Sequence, residues 1–529
     1  MAMFLSPIRP DDPPSRRAWD NCTIHDGTAF YAFFNTTDVN ASPRAYGLDI
    51  ARSNDGVHWE FIARDLIPIR GAHAGYGILN AGDRVFYYPT VTDKNRHIHF
   101  KIYASGDYLH WEHLGDEYDV EPDPRWYAAR WEEICILRVR EGGHDVYYGY
   151  ISAEVRDDVS QSSLGVLKSY DGVSWEVLPP PVVDWQGLPA QHTEVNFCEK
   201  IDGRYYLALN CRLHFDSYGY SSYTFVADSP TGPFVADLPA FRLTGTTSRD
   251  ITWLAHPLHA PDGLLIALWL SARQELEIPS RSMGIGPLKR LVVERGHLRV
   301  AWWEGNEAAK GREIDVPIGR SGWVHPAAAV RGEHDSMEAG GGGLTLSAGR
   351  DGGIAWLDAR FDAARGFLVE GRVVATVHQG RAATHQKGAA AGFVLEDGDG
   401  KGYAIIADAL GRTRGGSFHF ADHRITDVDE HAEAGSWLAN HYGGAVAGLA
   451  EFRPDDQVGP FGHAPFSGIR HGRTHRFRLI GRGDFVELYI DDWYVQTYLV
   501  PIGFTGRIGL LASEGVAEFS DARAWELEV

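Results

Sequence analysis

The chain is poor in the features that mark several large classes of protein. Among 529 residues there are only four cysteines, Cys22, Cys135, Cys198 and Cys211. None forms a Cys-x-x-Cys pair, and four in this length make no disulfide framework. Three of them fall in or beside predicted inner strands, where a small buried thiol is expected. No run of about 18 apolar residues occurs, so no membrane-spanning helix is expected. Met1 to Pro14 lacks a basic region followed by an apolar core, which argues against a signal peptide and for a cytoplasmic protein. Positive charge is also scarce: 50 Lys and Arg face 71 Asp and Glu, a formal charge of −21. Nucleic acid and anionic membranes are therefore poor partners. A neutral substrate or a cation is easier to accommodate.

Glycine and aromatics, by contrast, are plentiful. Sixty Gly, 26 Pro, 16 Trp and 23 Tyr in a chain that is 44% hydrophobic indicate a turn-rich all-β protein with ample core. The length accommodates two or three domains.

Five segments share one plan: a polar or acidic start, a short apolar strand, a Gly-containing turn and an aromatic-rich strand. They are Trp19-Asp20-Asn21-Cys22-Thr23-Ile24 with Phe30-Tyr31-Ala32-Phe33, and His73-Ala74-Gly75-Tyr76-Gly77-Ile78-Leu79 with Val85-Phe86-Tyr87-Tyr88. The third is Arg130-Trp131-Glu132-Glu133-Ile134-Cys135 with Val146-Tyr147-Tyr148, and the fourth runs from His192-Thr193-Glu194 through an Asp202-Gly203 turn to Tyr205-Tyr206-Leu207. The fifth is Arg249-Asp250-Ile251-Thr252-Trp253-Leu254 with Leu265-Ile266-Ala267-Leu268-Trp269. A second repeat closes most units: Ser53-Asn54-Asp55-Gly56-Val57-His58-Trp59, Ser105-Gly106-Asp107-Tyr108-Leu109-His110-Trp111 and Ser169-Tyr170-Asp171-Gly172-Val173-Ser174-Trp175, decaying to Ser229-Pro230-Thr231-Gly232-Pro233-Phe234. Each reads as a polar turn with a Trp folded back onto the sheet. Repeats of roughly 50 to 60 residues, each supplying about four strands, predict a β-propeller.

The expected architecture is all-β, with a five-bladed propeller over residues 1–325 and a β-sandwich over 340–529. Gly340-Gly341-Gly342-Gly343 reads as a loop or hinge between them. Short alternating strands such as Phe367-Leu368-Val369 and Phe485-Val486-Glu487-Leu488-Tyr489-Ile490 suggest the sandwich. Asp397-Gly398-Asp399-Gly400 is read as a hairpin turn, since it lacks the downstream acid of the helical calcium motif.

In a propeller the inner strands begin close to one axis, so residues far apart in sequence converge. Asp20, Glu132 or Glu133, and Glu194 then share one mouth. A single acid at a strand start is ordinarily a solvated rim group, but three at equivalent points of different repeats favour a site. Close like charges raise the pKa of at least one, leaving a protonated acid beside ionised partners. Glycosidic cleavage requires that pairing: one carboxylic acid protonates the leaving oxygen, while another attacks or activates water. Arg130, His73, Tyr76, His192 and Asn21 stand where they can bind sugar hydroxyls. Trp19, Trp131 and Trp253 are packing residues or stacking platforms, and Arg249-Asp250 is an ion pair or a hydroxyl clamp.

The chain resembles the family-32 glycoside hydrolases (invertases, inulinases, levanases), a five-bladed propeller followed by a β-sandwich, and the resemblance extends over the whole length. The family's Glu-Cys-Pro-Asp acid/base motif falls on Glu194-Val195-Asn196-Phe197, with only the Glu identical. Its Trp-x-Asn-Asp-Pro-Asn-Gly motif is represented by Trp19-Asp20-Asn21-Cys22, without the Pro and Gly, so the resemblance makes Asp20 the nucleophile. Its Arg-Asp-Pro motif falls at Arg130-Trp131-Glu132-Glu133, with Glu in place of the stabilising Asp. His73-Ala74-Gly75-Tyr76 lies at the aromatic-Ser-Gly-Ser segment.

The function implied is hydrolysis or transfer of a terminal furanosyl residue on a small neutral oligosaccharide, most simply a fructofuranoside, by a retaining enzyme that needs no metal or cofactor. The alternatives are an inverting arabinan hydrolase of family-43 type and a non-catalytic sugar-binding propeller. A sialidase fits less well, because five blade starts are found rather than six, and no Arg triad.

Overall fold

A computed structural model describes residues 3–9, 11–41, 45–70, 72–93, 97–156, 163–186, 190–213, 221–237, 242–244, 250–272, 283–316, 323–324, 336–340, 342–348, 353–357, 359–377, 390–396, 401–408, 413–419, 424–426, 472–499, 505–513 and 515–528. Five antiparallel units follow one another. Blade one consists of Arg16–His25, Phe30–Asp38, Ala45–Ser53 and Trp59–Arg70. Blade two begins at Ala72–Asn80, blade three at Tyr127–Glu141, blade four at Ala190–Ile201 and blade five at Asp250–Ala260, each strand pairing with the next outward. Every first strand lies beside the first strand of the following blade, and that of blade five lies beside that of blade one. The ring is therefore closed, a five-bladed propeller as the repeats predict. Leu5 ties the seam, exchanging two 2.9 Å backbone hydrogen bonds with Ile285 of blade five.

The second strands read as continuous apolar runs because both their faces are covered by neighbouring blades; Phe30–Asp38 is buried along all but its last residue. The Asp202-Gly203 turn has φ of 50° and 86° at its two central residues, the double positive φ that a two-residue hairpin with matching twist requires. The Ser-x-Asp turns, with Gly next in blades one and three and Tyr108 in blade two, join the third and fourth strands of blades one to three. In the first, Asp55 Oδ1 accepts from the N–H groups of Val57 (2.9 Å) and His58 (2.8 Å), and Ser53 Oγ accepts from Gly56 N–H (2.9 Å). The Trp that follows packs back as expected: the Trp111 and Trp175 indoles donate to the carbonyls of Tyr108 and Gly172.

The remaining chain forms two packed sheets. One holds Ser336–Gly340, Gly343–Ala348, Gly515–Leu527, Phe367–Val377, Thr474–Arg482, Phe485–Ile490 and Trp493–Leu499; the other centres on Gly353–Trp356, Thr505–Ser513, Ala390–Glu396 and Lys401–Asp408. One apolar core, with Phe393, Phe477, Leu479 and Phe519, lies between them. Two expectations need correction. Strand Lys310–Ile314 already pairs with the last strand, so the sandwich takes up chain before residue 325. The glycines are no hinge either: Gly340 pairs with Gly343 at the tip of a sandwich hairpin. A glycine cluster signals a turn but does not say whether it joins strands or domains. Asp397 to Gly400 lies outside the described residues.

The first sheet continues into blade five, where Ala301 pairs with Trp493. Next to this join, Lys289 of blade five and Glu487 of the sandwich form a fully buried ion pair (2.9 Å), in which Glu487 also accepts from Tyr489 (2.6 Å) and Thr497 (3.2 Å).

Candidate active site

The inner strands do not run straight. Each carries a β-bulge in its first half: at Asp20 in blade one, around Gly75-Tyr76 in blade two, at Glu133 in blade three, at Asn196 in blade four and around Leu254-Ala255 in blade five. A bulged residue has no partner opposite it and turns its side chain out of the alternation. Asp20 and Glu133 occupy these points with φ of +43° and +60°. A positive φ at a residue bearing a Cβ costs on the order of 1 kcal/mol or more, the kind of strain that clusters at functional sites. The acids thus stand at bulges within the strands, not at the strand starts that the sequence suggests.

The bulge also separates Glu132 from Glu133. Glu133 is 7% exposed and accepts a 2.9 Å hydrogen bond from Ser152 Oγ at Oε2, while its N–H donates to Thr90 Oγ1 of blade two (3.3 Å). Glu132 accepts from Arg130 Nε at 2.5 Å, and the same guanidinium reaches Glu194 Oε1 at 3.5 Å. Burial pushes the Glu133 carboxyl well above its usual range, reinforced by the charges of Glu194, Asp20 and Glu132 and opposed by Arg130. Acids from blades one, three and four thus lie close enough for their charges to act on one another. Burial works against the charge on Arg130, but Glu133, Glu132 and Glu194 outweigh it and raise its pKa. Asp20 is 8% exposed and lies within reach of Tyr87 of blade two, whose hydroxyl donates to Asn35 Oδ1 at 2.5 Å.

Of the other expected residues, Trp131 is corrected. It is 0% exposed, its indole N–H donates to the Val120 carbonyl (3.1 Å), and its ring packs on Tyr127 and Phe100. It belongs to the core between blades two and three and has no face to offer a sugar. Asn21 is buried beside Asp20, and its amide atoms meet no hydrogen-bond partner among the described residues. The side chains of Trp19, His73, Tyr76, His192, Asp250 and Trp253, and the whole of Arg249, lie outside the described residues.

Four residues beneath the acids escaped the sequence reading: Asn35, Thr90, Ser152 and Asn210, one on the second strand of each of blades one to four, none more than 4% exposed. Their signal was present as a polar residue shortly after each aromatic-rich run, in blade one the first of Asn35-Thr36-Thr37. In blade four Asn210 accepts from Asn196 and from Ser222 (2.8 and 2.7 Å), holding the bulge that has no acid.

At the other end of the inner strands a cavity of about 680 Å³ is lined by Cys22, Cys135, Arg138, Glu199, His256 and His259 among others. Cys22 Sγ lies 3.4 Å from His256 Nδ1, and burial lowers the pKa of that imidazole to about 3. Among the described residues the group able to hold a metal is His113, Asp116 and Asp119, past the last strand of blade two, where Lys101 already bridges both aspartates at 2.8 and 3.1 Å.

Fold and site define a class: a closed five-bladed propeller with carboxylates from separate blades gathered at one axial mouth, continuous with a β-sandwich. Solved structures of that architecture match the entire chain. They include sucrose-6-phosphate hydrolase from Lactobacillus gasseri (12% identity, TM-score 0.63, all of this chain and 93% of that one) and the Bombyx mori GH32 β-fructofuranosidase (12%, 0.60, all and 93%). Exo-inulinase from Aspergillus awamori is similar at 11% identity and a TM-score of 0.59, covering all of this chain and 98% of its own. At such identities the likeness is one of fold, and the fold is the one that the family-32 resemblance implied. No family model and no curated protein sequence matches the chain.

Proposed function

We propose that this protein is a glycoside hydrolase that removes terminal furanosyl residues from small neutral oligosaccharides, as a β-fructofuranosidase-like retaining enzyme. The observation that carries the reading is the electrostatic coupling of Asp20, Glu133 and Glu194, contributed by three blades, with burial and the neighbouring charges raising the pKa of Glu133. In this reading Asp20 attacks the anomeric carbon, Glu194 protonates the leaving oxygen and later deprotonates water, and Glu133 with Arg130 holds ring hydroxyls. The solved structures of like fold include a fructofuranosidase from Schwanniomyces occidentalis complexed with fructose, which supports a fructosyl ligand.

Glu194→Gln is expected to lower turnover on short fructans by a factor on the order of 10² or more while leaving the fold intact. Wild-type rates in that variant reject the assignment. NMR of the first-formed anomer separates retention from the inverting arabinan hydrolase.

A second reading, a non-catalytic sugar-binding propeller, is favoured by the sequence around Asp20, which lacks the Pro and Gly of the family's nucleophile motif. It predicts fructan binding without product.

A further inference from the structure

We infer that Ser152 is a positioning residue for the acid cluster, fixing the Glu133 carboxyl to the strand that carries Glu194 and leaving Glu133 Oε1 as the atom that presents a proton to the site. The inference rests on the proposed hydrolase reading and names a part of its machinery that no motif of the chain marks.

Ser152 lies on the second strand of blade three, in register with Glu132, and is fully buried. Its hydroxyl oxygen accepts the backbone N–H of Val195, the residue after Glu194, at 3.0 Å. Its own proton is directed at Glu133 Oε2, at 2.9 Å. One hydroxyl thereby connects an acid of blade three to the inner strand of blade four. Blade one repeats the register, since Asn35 stands opposite Trp19, the residue before Asp20, as Ser152 stands opposite the residue before Glu133.

The orientation decides the chemistry. Oε2 accepts a hydrogen bond from Ser152 and so is the carbonyl-like oxygen of Glu133 whenever that carboxyl is protonated. The groups facing this carboxyl are Asp20 of blade one, Glu194 of blade four, and Glu132 and Arg130 of its own strand, while blade two offers the uncharged Thr90. Burial first, then the charges of Glu194, Asp20 and Glu132, raise the pKa of this carboxyl, and with Oε2 accepting from Ser152 the oxygen left to carry a proton is Oε1. A sugar hydroxyl at this mouth would therefore accept from Glu133 Oε1 and donate to an ionised neighbour.

The test is Ser152→Ala, with Ser152→Cys, which keeps the size but donates weakly, as a graded intermediate; circular dichroism verifies the fold of each. The Glu133 carboxyl is followed by infrared difference spectra against Glu133→Gln over a pH titration. In Ser152→Ala the protonated C=O stretch should rise in frequency and the titration midpoint should move up, because a donor favouring the ionised form has been removed; Ser152→Cys should fall between. An unchanged band and midpoint overturn the inference. On a short fructan, kcat should drop about 10- to 100-fold with KM little changed, and the limb of the pH profile should move with the infrared midpoint. A shifted band with unchanged kcat and pH limb also overturns the positioning role. If the wild type turns over no furanoside, the hydrolase reading fails by itself and the infrared arm alone decides the Ser152 contact.

Discussion

Carboxylates at the axial mouth and in the Ser-x-Asp turns meet opposite treatment from the same backbone. In the turns, Asp55, Asp107 and Asp171 each accept two consecutive N–H groups at 2.7–2.9 Å, and Asp55 and Asp107 also bind a His Nδ1 at 2.7 Å. Burial opposes the charge on Asp55, yet its donors bring the carboxyl down to about 2. At the mouth, Glu133 has one side-chain donor and three negative neighbours, and its carboxyl moves up. Two things separate these acids: burial, which leaves Glu133 7% exposed while Asp55 stands in an exposed turn, and the supply of hydrogen-bond donors, which is ample only in the turns.

The Lys289–Glu487 pair extends the comparison to a buried acid with a formal counter-charge, and it should show the largest effect. Lys289→Met leaves Glu487 buried and uncompensated, with an expected loss of about 3–5 kcal/mol in denaturant unfolding. The Lys289→Met/Glu487→Leu double variant should recover most of that. Next, Glu133→Gln should cut turnover by about 10² with no loss of stability at neutral pH. Because folding raises the Glu133 pKa, its stabilising contribution is complete below its ordinary 4.5 and is lost as pH climbs from there. The Gln variant should therefore gain on wild type as pH rises above 4.5, read from urea midpoints. Asp55 has the opposite sign. Its folded value of about 2 lies below its ordinary 3.8, so its contribution holds above that range and vanishes as pH falls through it. Asp55→Ala should cost about 1 kcal/mol, allowing for the solvent exposure of the turn, with kcat unchanged. Asp107→Ala, in the most exposed of the turns, should give the smallest shift in melting temperature.

Much of this was legible in the residue order. The aromatic-rich second strands and recurring Asp-Gly turns spelled out five blades, because both are local and repeated. The acids were legible as candidates, because Asp20, Glu132, Glu133 and Glu194 stand near the openings of repeated units. The different surroundings of Glu132 and Glu133 were not, because adjacent strand residues swap faces at a bulge, and a bulge depends on tertiary packing. Trp131 misled for a related reason: a Trp beside an acid serves a core as readily as a sugar platform, and the strand's facing decides which. Ser152 and Lys289 were invisible because each acquires its meaning from a partner on another strand, Val195 and Glu487 respectively.

The contact between Leu5 and Ile285 has a consequence for synthesis. The segment around Leu5, held to blade one through Met3 and Val57, completes its pairing only with a strand made some 280 residues later, so ring closure must await the emergence of blade five from the ribosome. A bulky fusion placed directly before Leu5 would crowd the seam, whereas one carried at the far terminus would leave the closing step undisturbed.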